Sequence, residues 1–224
     1  MLVNKEKYEE IIRQLQSKNV LLVAVSKTKT VEAIKELYDL GQRDFGENYV
    51  QEMVDKQVQL PKDIRWHFIG HLQTNKAKYI APFVYLIHGV DSFKLLKEIN
   101  KQGEKNGCVI QVLLQVHIAE EETKFGLDDK ELETILGSGV NEVEGLKNIS
   151  ILGFMGMASF TEDVQQVRKE FHYLKSLFDK YSSIKLSRPQ LQTLSMGMSG
   201  DYQIAIEEGS NMVRIGSLIF GKRI

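Results

Sequence analysis

Residues 20–26 read Val20-Leu21-Leu22-Val23-Ala24-Val25-Ser26, and Lys27-Thr28-Lys29 leads from them into the segment Thr30–Leu40, followed by Gly41. The first seven residues form an aliphatic, β-branched run without polar alternation, the pattern of a strand buried on both faces. Thr30–Leu40 reads as a helix with Gly41 as its C-terminal cap. One buried strand followed by one helix is the repeating unit of a parallel sheet.

The same unit recurs along the chain. Further strands are expected at Arg43–Gly46, Arg65–Gly70, Val84–Gly89, Val109–His117, Ile149–Met155, Gln190–Ser195 and Met212–Ile215. Leu95, Leu96 and Ile99 line one intervening helix. Val164, Val167, Phe171, Leu174 and Phe178, with Leu177 beside them, line another, whose start Thr161 is expected to cap. An additional helix precedes the first strand, over Asn4–Ser17. Its apolar positions Tyr8, Ile11, Ile12 and Leu15 follow helical spacing, and Asn4 is its expected N-cap. Near-continuous apolar strands alternating with helices indicate a parallel sheet covered on both faces. The expected fold is α/β, a single (β/α)8 TIM-type barrel with an extra N-terminal helix, one domain over residues 1–224. Periodicity does not encode closure, so an open doubly wound sheet stands as the alternative.

Composition narrows the function classes. The chain has 224 residues, 42% of them hydrophobic, with 30 acidic residues against 29 basic ones and a formal charge of −1. That balance argues against a nucleic-acid footprint. No apolar run approaches the ~18 residues of a membrane helix, and residues 1–20 lack the continuous apolar core of a signal peptide. The single cysteine, Cys108, is expected to be an inert buried thiol. It forms no internal disulfide, which fits a reducing, cytoplasmic setting and a monomer. No two histidines share a metal-binding spacing and there is no HExxH, so no metal is expected.

In a barrel of this type chemistry gathers where the strands end. Lys27 adjoins the first strand directly and would project into the barrel mouth, where a lysine of lowered pKa can condense with a carbonyl compound. Lys29 is one step further out. After the second strand, Asp44-Phe45-Gly46-Glu47-Asn48-Tyr49 offers polar tips, with Asn48 either a site residue or a helix cap. His67 alternates with apolar neighbours and reads as a satisfied core histidine, whereas His71, beyond the strand, is the better site candidate. Gly153-Phe154-Met155-Gly156-Met157 reads as tight barrel interior. After the seventh strand comes Met196-Gly197-Met198-Ser199-Gly200-Asp201, and after the eighth Arg214-Ile215-Gly216-Ser217. Both are glycine- and serine-bearing turns that open onto helices, so their N–H groups and hydroxyls suit a phosphate, although Asp201 also reads as a helix cap. A lysine after the first strand and a phosphate cradle after the last two suggest a phosphorylated aldehyde. Pyridoxal 5′-phosphate and a phosphosugar both qualify, and Arg214 favours the former because only a pyridine ring offers its nitrogen to a guanidinium.

Six segments also carry a resemblance: AVSKTK at 24–29, FGENYVQE at 45–52, WHFIGHLQTNK at 66–76, GFMGM at 153–157, LSMGMSGD at 194–201 and MVRIGSLIFG at 212–221. In this order, over nearly the whole chain, they resemble the pyridoxal phosphate homeostasis protein family, whose barrel is similar to the N-terminal domain of alanine racemases. The resemblance implies that Lys27 carries pyridoxal 5′-phosphate as an aldimine. Gly216, Ser217, Ser199 and the Met198 backbone would hold the phosphate, Arg214 would face the pyridine nitrogen, and Asn48 would lie near the ring. Lys124 would correspond to the family's second, transiently loaded lysine. The implied function is to hold the cofactor and maintain intracellular vitamin B6 homeostasis, with apo pyridoxal-phosphate enzymes as recipients and little or no catalysis. A low-activity amino-acid racemase is the second reading. It is disfavoured because the chain is expected to lack the racemases' C-terminal β-domain, which supplies their second base.

Overall fold

A computed structural model of the chain describes residues 2–121, 125–137, 143, 145–183 and 191–221. Helix α1 (Lys5–Gln16) starts at Asn4, whose side chain accepts the Lys7 N–H, and buries Tyr8, Ile11 and Leu15. The strands are β1 (Leu21–Val25), β2 (Asp44–Glu47), β3 (Arg65–Phe68), β4 (Leu86–Val90), β5 (Ile110–Gln115), β6 (Ile149–Met155), β7 (Thr193–Ser195) and β8 (Met212–Ile215). Between them lie α2 (Val31–Asp39), α3 (Val50–Gln57), α4 (Ala77–Ile80), α5 (Phe93–Asn106), α6 (Asp129–Leu136), α7 (Val164–Ser182) and α8 (Tyr202–Glu207), and α9 (Ser217–Phe220) follows β8.

Every strand pairs in parallel with its sequence neighbour, and β8 returns to β1 through Leu21↔Met212 to Ala24↔Ile215, so the sheet is a closed barrel in the order β1 to β8. This removes the open-sheet alternative. The outer wall, including Phe45, Phe68, Val112 and Phe154, packs with helix residues such as Ile34, Leu96, Phe171 and Leu174 into one continuous core. A second, smaller apolar group, Val23, Leu86, Leu113, Met155 and Met212, is drawn from alternate positions of five strands and fills the barrel. Gly153 shows why β6 tolerates no side chain at that point. A Cβ there would sit 1.8 Å from the Thr193 carbonyl oxygen, so the close β6–β7 approach requires glycine.

All eight expected strands exist, and most ends shift by one to three residues. The third, for instance, stops at Phe68 rather than Gly70. Two local expectations are corrected. The cap of α7 is Asp163, which accepts the N–H groups of Gln165 and Gln166, while Thr161 lies two residues earlier and accepts the Asp163 N–H. Val164, in the first turn of that helix, faces outward and is 49% exposed. Cys108 is half-buried, not buried, because it lies in the turn before β5. Residue 190, at the expected start of the seventh strand, lies outside the described residues.

Candidate functional site

A cavity of about 400 Å³ opens where the strands end, within the usual size of a small-molecule site. It is lined by Lys27, Asn48, Met198, Ser199, Arg214, Gly216 and Ser217, every site residue expected from the sequence, together with Thr28, Lys29, Ile69, Met157 and Phe160. His71 is not among them. It pairs with Asp91 at 2.9 Å, stacks on Phe125 and lines a neighbouring cavity that shares Asn48. Lys124 lies outside the described residues.

The segment that carries Lys27 is held by a buried polar clamp. After Val25 the chain turns through Thr28, whose φ of 63° is rare for a β-branched residue. That conformation is secured from α3: the Thr28 N–H donates to Glu52 Oε1 at 2.6 Å. Lys56, one helical turn further, donates to Glu52 Oε1 at 2.7 Å, to Glu47 Oε1 at 2.8 Å and to the Ser26 carbonyl at 2.8 Å. The Ser26 hydroxyl donates to the same Glu47 oxygen at 2.6 Å. Burial holds the Glu47 carboxyl above its usual pKa, against the opposing pull of Lys56. The backbone on both sides of Lys27 is therefore tied to α3 before any ligand arrives.

Lys29 has a structural role that its place in the sequence does not reveal. Lys29 Nζ donates to the carbonyl oxygens of Phe220 at 3.0 Å and Gly221 at 3.3 Å. Its amine latches the end of α9 to the barrel mouth. Lys27 adjoins the end of β1 and is among the residues lining the cavity.

Opposite the lysine, the turns after β7 and β8 meet. The Gly216 N–H donates to Ser199 Oγ at 3.3 Å, which joins the two loops into one cup. Asp201 Oδ1 accepts the Met198 N–H at 2.5 Å, so Asp201 shapes the first loop rather than capping α8 with its side chain. Helices α8 and α9 begin at this cup: the Tyr202 N–H donates to the Met198 carbonyl at 2.9 Å, and the Ile219 and Phe220 N–H groups donate to the Gly216 carbonyl at 3.0 and 2.9 Å. A Cβ on Gly216 would lie 3.1 Å from both Cβ and O of Val25, so the β8 turn reaches the end of β1 because that position has no side chain.

Arg214 is 4% exposed and closes the floor of the cavity. Its Nη1 donates to the Ser195 carbonyl at 2.9 Å and to Ser195 Oγ at 2.7 Å, and its Nη2 donates to the Gly156 carbonyl at 3.0 Å. Burial pushes its pKa down to about 10, so it remains a cation at neutral pH. Asn48 does not cap α3, whose N-cap is Tyr49. Its buried Oδ1 has no hydrogen-bond partner among the described residues. An orphaned buried amide oxygen is costly unless something binds it.

The cavity thus combines a primary amine, an anion cup of N–H and O–H donors, a fixed cation and an unmatched amide in one barrel mouth. The chain matches the family model for the alanine racemase N-terminal domain over residues 4–223. It is 41% identical over 203 residues to the pyridoxal phosphate homeostasis protein of Aquifex aeolicus, covering 90% of this chain and 86% of the relative. The chain therefore belongs to the pyridoxal phosphate homeostasis protein family, within the wider group built on the alanine racemase N-terminal domain. Among solved structures, PipY of Synechococcus elongatus without PLP superposes with a TM-score of 0.89 at 32% identity, covering 96% of this chain and 99% of that one. The same protein with PLP bound gives 0.83 at 32% identity, covering 95% and 99%. The alanine racemase of Bartonella henselae, at 17% identity, a TM-score of 0.71 and coverage of 96% and 59%, shares the fold.

Proposed function

We propose that this chain binds pyridoxal 5′-phosphate through Lys27 and holds it for delivery to apo pyridoxal-phosphate enzymes, so that it maintains vitamin B6 homeostasis with little or no catalysis. The observation that carries this reading is convergence: Lys27, the Ser199–Gly216–Ser217 cup and the Arg214 guanidinium line one cavity. When bound, the cofactor supplies an aldehyde that condenses reversibly with a primary amine. The donor set fits it at each end. Ser199, Ser217, Gly216 and the Met198 backbone would hold the phosphate, which would take over the Gly216 and Met198 N–H groups from Ser199 Oγ and Asp201 Oδ1, with Arg214 at the ring nitrogen and the unmatched Asn48 amide at the ring's polar edge.

Arg214 argues for holding over turnover. A carboxylate at a pyridine nitrogen keeps it protonated and electron-withdrawing, whereas a cation at that place disfavours the proton. Every proposed contact comes from one chain, so a monomer suffices. The single cysteine suits the reducing cytoplasm. Mixing the loaded protein with an apo pyridoxal-phosphate enzyme is expected to restore that enzyme's activity, while L-alanine in deuterated water gains no α-deuterium from the loaded protein. Rapid exchange that disappears in Lys27→Ala would instead identify an amino-acid racemase.

Gly216→Val tests the phosphate cup. A side chain pressed against Val25 displaces the β8 turn and its N–H donors. Hydrogen bonds to a charged group contribute roughly 1.5–3 kcal/mol each, so affinity for pyridoxal 5′-phosphate is expected to fall about tenfold to about a hundredfold. Pyridoxal, without the phosphate, is expected to bind more weakly to the wild-type protein and to lose little further in the variant. Equal losses for both ligands, read by absorbance titration, would put the cup elsewhere.

A further inference from the structure

The barrel lumen contains a polar chain that the cofactor contacts alone do not require. Asp44 on β2, His67 on β3, His88 on β4 and Ser195 on β7 are all buried inside the barrel. His67 Nε2 lies 2.9 Å from Asp44 Oδ1, His67 Nδ1 lies 2.9 Å from His88 Nε2, and His88 Nδ1 lies 3.2 Å from Ser195 Oγ. Ser195 Oγ receives Arg214 Nη1 at 2.7 Å. Strands β4 and β7 are not neighbours, so the His88–Ser195 bond crosses the lumen. At the far end, Arg65 Nε and Nη2 donate to Asp44 at 2.7 and 2.5 Å, and the Arg65 side chain is 42% exposed. The chain therefore runs from solvent at the start of β3 to the floor of the cofactor cavity.

The donors and acceptors along it satisfy one direction throughout. The Arg65 and His67 bonds hold the Asp44 carboxyl below its usual pKa although burial opposes them, so Asp44 is an acceptor only. His67 then donates from Nε2, and its bare Nδ1 accepts from His88 Nε2. The bare His88 Nδ1 accepts the Ser195 hydroxyl, and the Ser195 oxygen accepts from Arg214. This pattern needs both imidazoles neutral in the Nε2–H form, and burial lowers the pKa of both, His88 by far the more. All four ring nitrogens are used, so none remains for a metal. Asp201, in the same cavity, attracts Arg214 electrostatically, and Asp44 is the anion to which the hydrogen-bond chain leads.

We infer that Asp44, His67, His88 and Ser195 are positioning residues for Arg214, a one-way hydrogen-bond chain that fixes the guanidinium at the ring end of the cofactor cavity. The inference rests on the reading of Arg214 given above. A buried guanidinium satisfied by fixed acceptors cannot swing to another ligand atom, and a chain of polarised bonds strengthens each link. The chain also connects the outer face of the barrel, through Arg65, to the cofactor cavity.

Two measurements test it. In the cofactor-free full-length protein, 15N spectra of histidine are expected to show Nε2–H and bare Nδ1 for both His67 and His88, unchanged from about pH 6 to about pH 8. The charged and titratable groups facing His67 are Asp44, Arg65, Tyr85 and His88, and those facing His88 are His67 and Arg214. An Nδ1–H tautomer, or ordinary imidazole titration at either residue, overturns the chain whatever the cofactor does. The second measurement is a double-mutant cycle by absorbance titration with pyridoxal 5′-phosphate, using His88→Leu, Arg214→Gln and both together. Each single variant is expected to shift the bound absorbance maximum and to weaken binding about tenfold. The double variant is expected to match Arg214→Gln alone, because partners in one network do not add. If the wild type binds but His88→Leu leaves spectrum and affinity unchanged, or its loss adds fully to that of Arg214→Gln, the positioning role is wrong and the cofactor reading stands. If the wild type does not bind, that reading fails and the tautomers still decide whether the chain exists.

Discussion

Lys27→Ala is expected to abolish covalent retention of pyridoxal 5′-phosphate. Loaded wild-type protein should keep its visible absorbance through dialysis, and the variant should lose it. The phosphate cup and Arg214 remain in the variant, so weak reversible binding persists, with affinity lower by about a hundredfold or more. Lys29 does not substitute, because its amine is engaged by the Phe220 and Gly221 carbonyls. Lys29→Ala is correspondingly expected to loosen the end of α9 and to keep the absorbance. Retention by Lys27→Ala with loss in Lys29→Ala would reverse the assignment.

The second large effect is on stability. Lys56→Ala removes the cation that meets the buried Glu47 carboxylate, in a pair whose side chains are 7% and 0% exposed. Removing one partner of a buried ion pair costs about 3–5 kcal/mol, because the other charge is left uncompensated. Thermal or denaturant unfolding should register that loss. Glu47→Gln added to Lys56→Ala should recover much of it, because an amide carries no charge to compensate. Thr28 also depends on this clamp through Glu52. The double variant is therefore expected to fold yet to hold the Lys27 segment less firmly and to load the cofactor more slowly. Full stability in Lys56→Ala would show that the clamp is incidental.

The parts that were legible in the sequence are those in which neighbours along the chain share one fate. Val20–Val25 is continuously apolar because both faces of β1 are covered along Leu22–Ala24, and Lys27 follows that run by two residues. The glycine–serine turns at 197–200 and 216–217 are local in the same sense, and all seven expected cofactor residues converge on one cavity. What depends on juxtaposition was not legible. Closure between β8 and β1 leaves no mark on periodicity. Glu52 and Lys56 have the spacing of an ordinary exposed helix pair, and only the packing of α3 against the end of β1 buries Lys56 and half-buries Glu52. His67 was read correctly as a satisfied core histidine, but its partners Asp44 and His88 stand on other strands, and nothing along the sequence pairs His88 with Ser195. His71 follows its strand as a site residue would, and its pairing with Asp91 and its place in the neighbouring cavity are likewise set by juxtaposition.

The most direct test of the central claim is chemical trapping of the attachment site. The wild-type protein would be loaded with pyridoxal 5′-phosphate, reduced with borohydride, digested and mapped by mass spectrometry. The account predicts the pyridoxyl group on the peptide carrying Lys27, at Lys27 itself. Label found mainly on Lys29 or Lys124, or no label on a protein that nevertheless retains the cofactor, would contradict it.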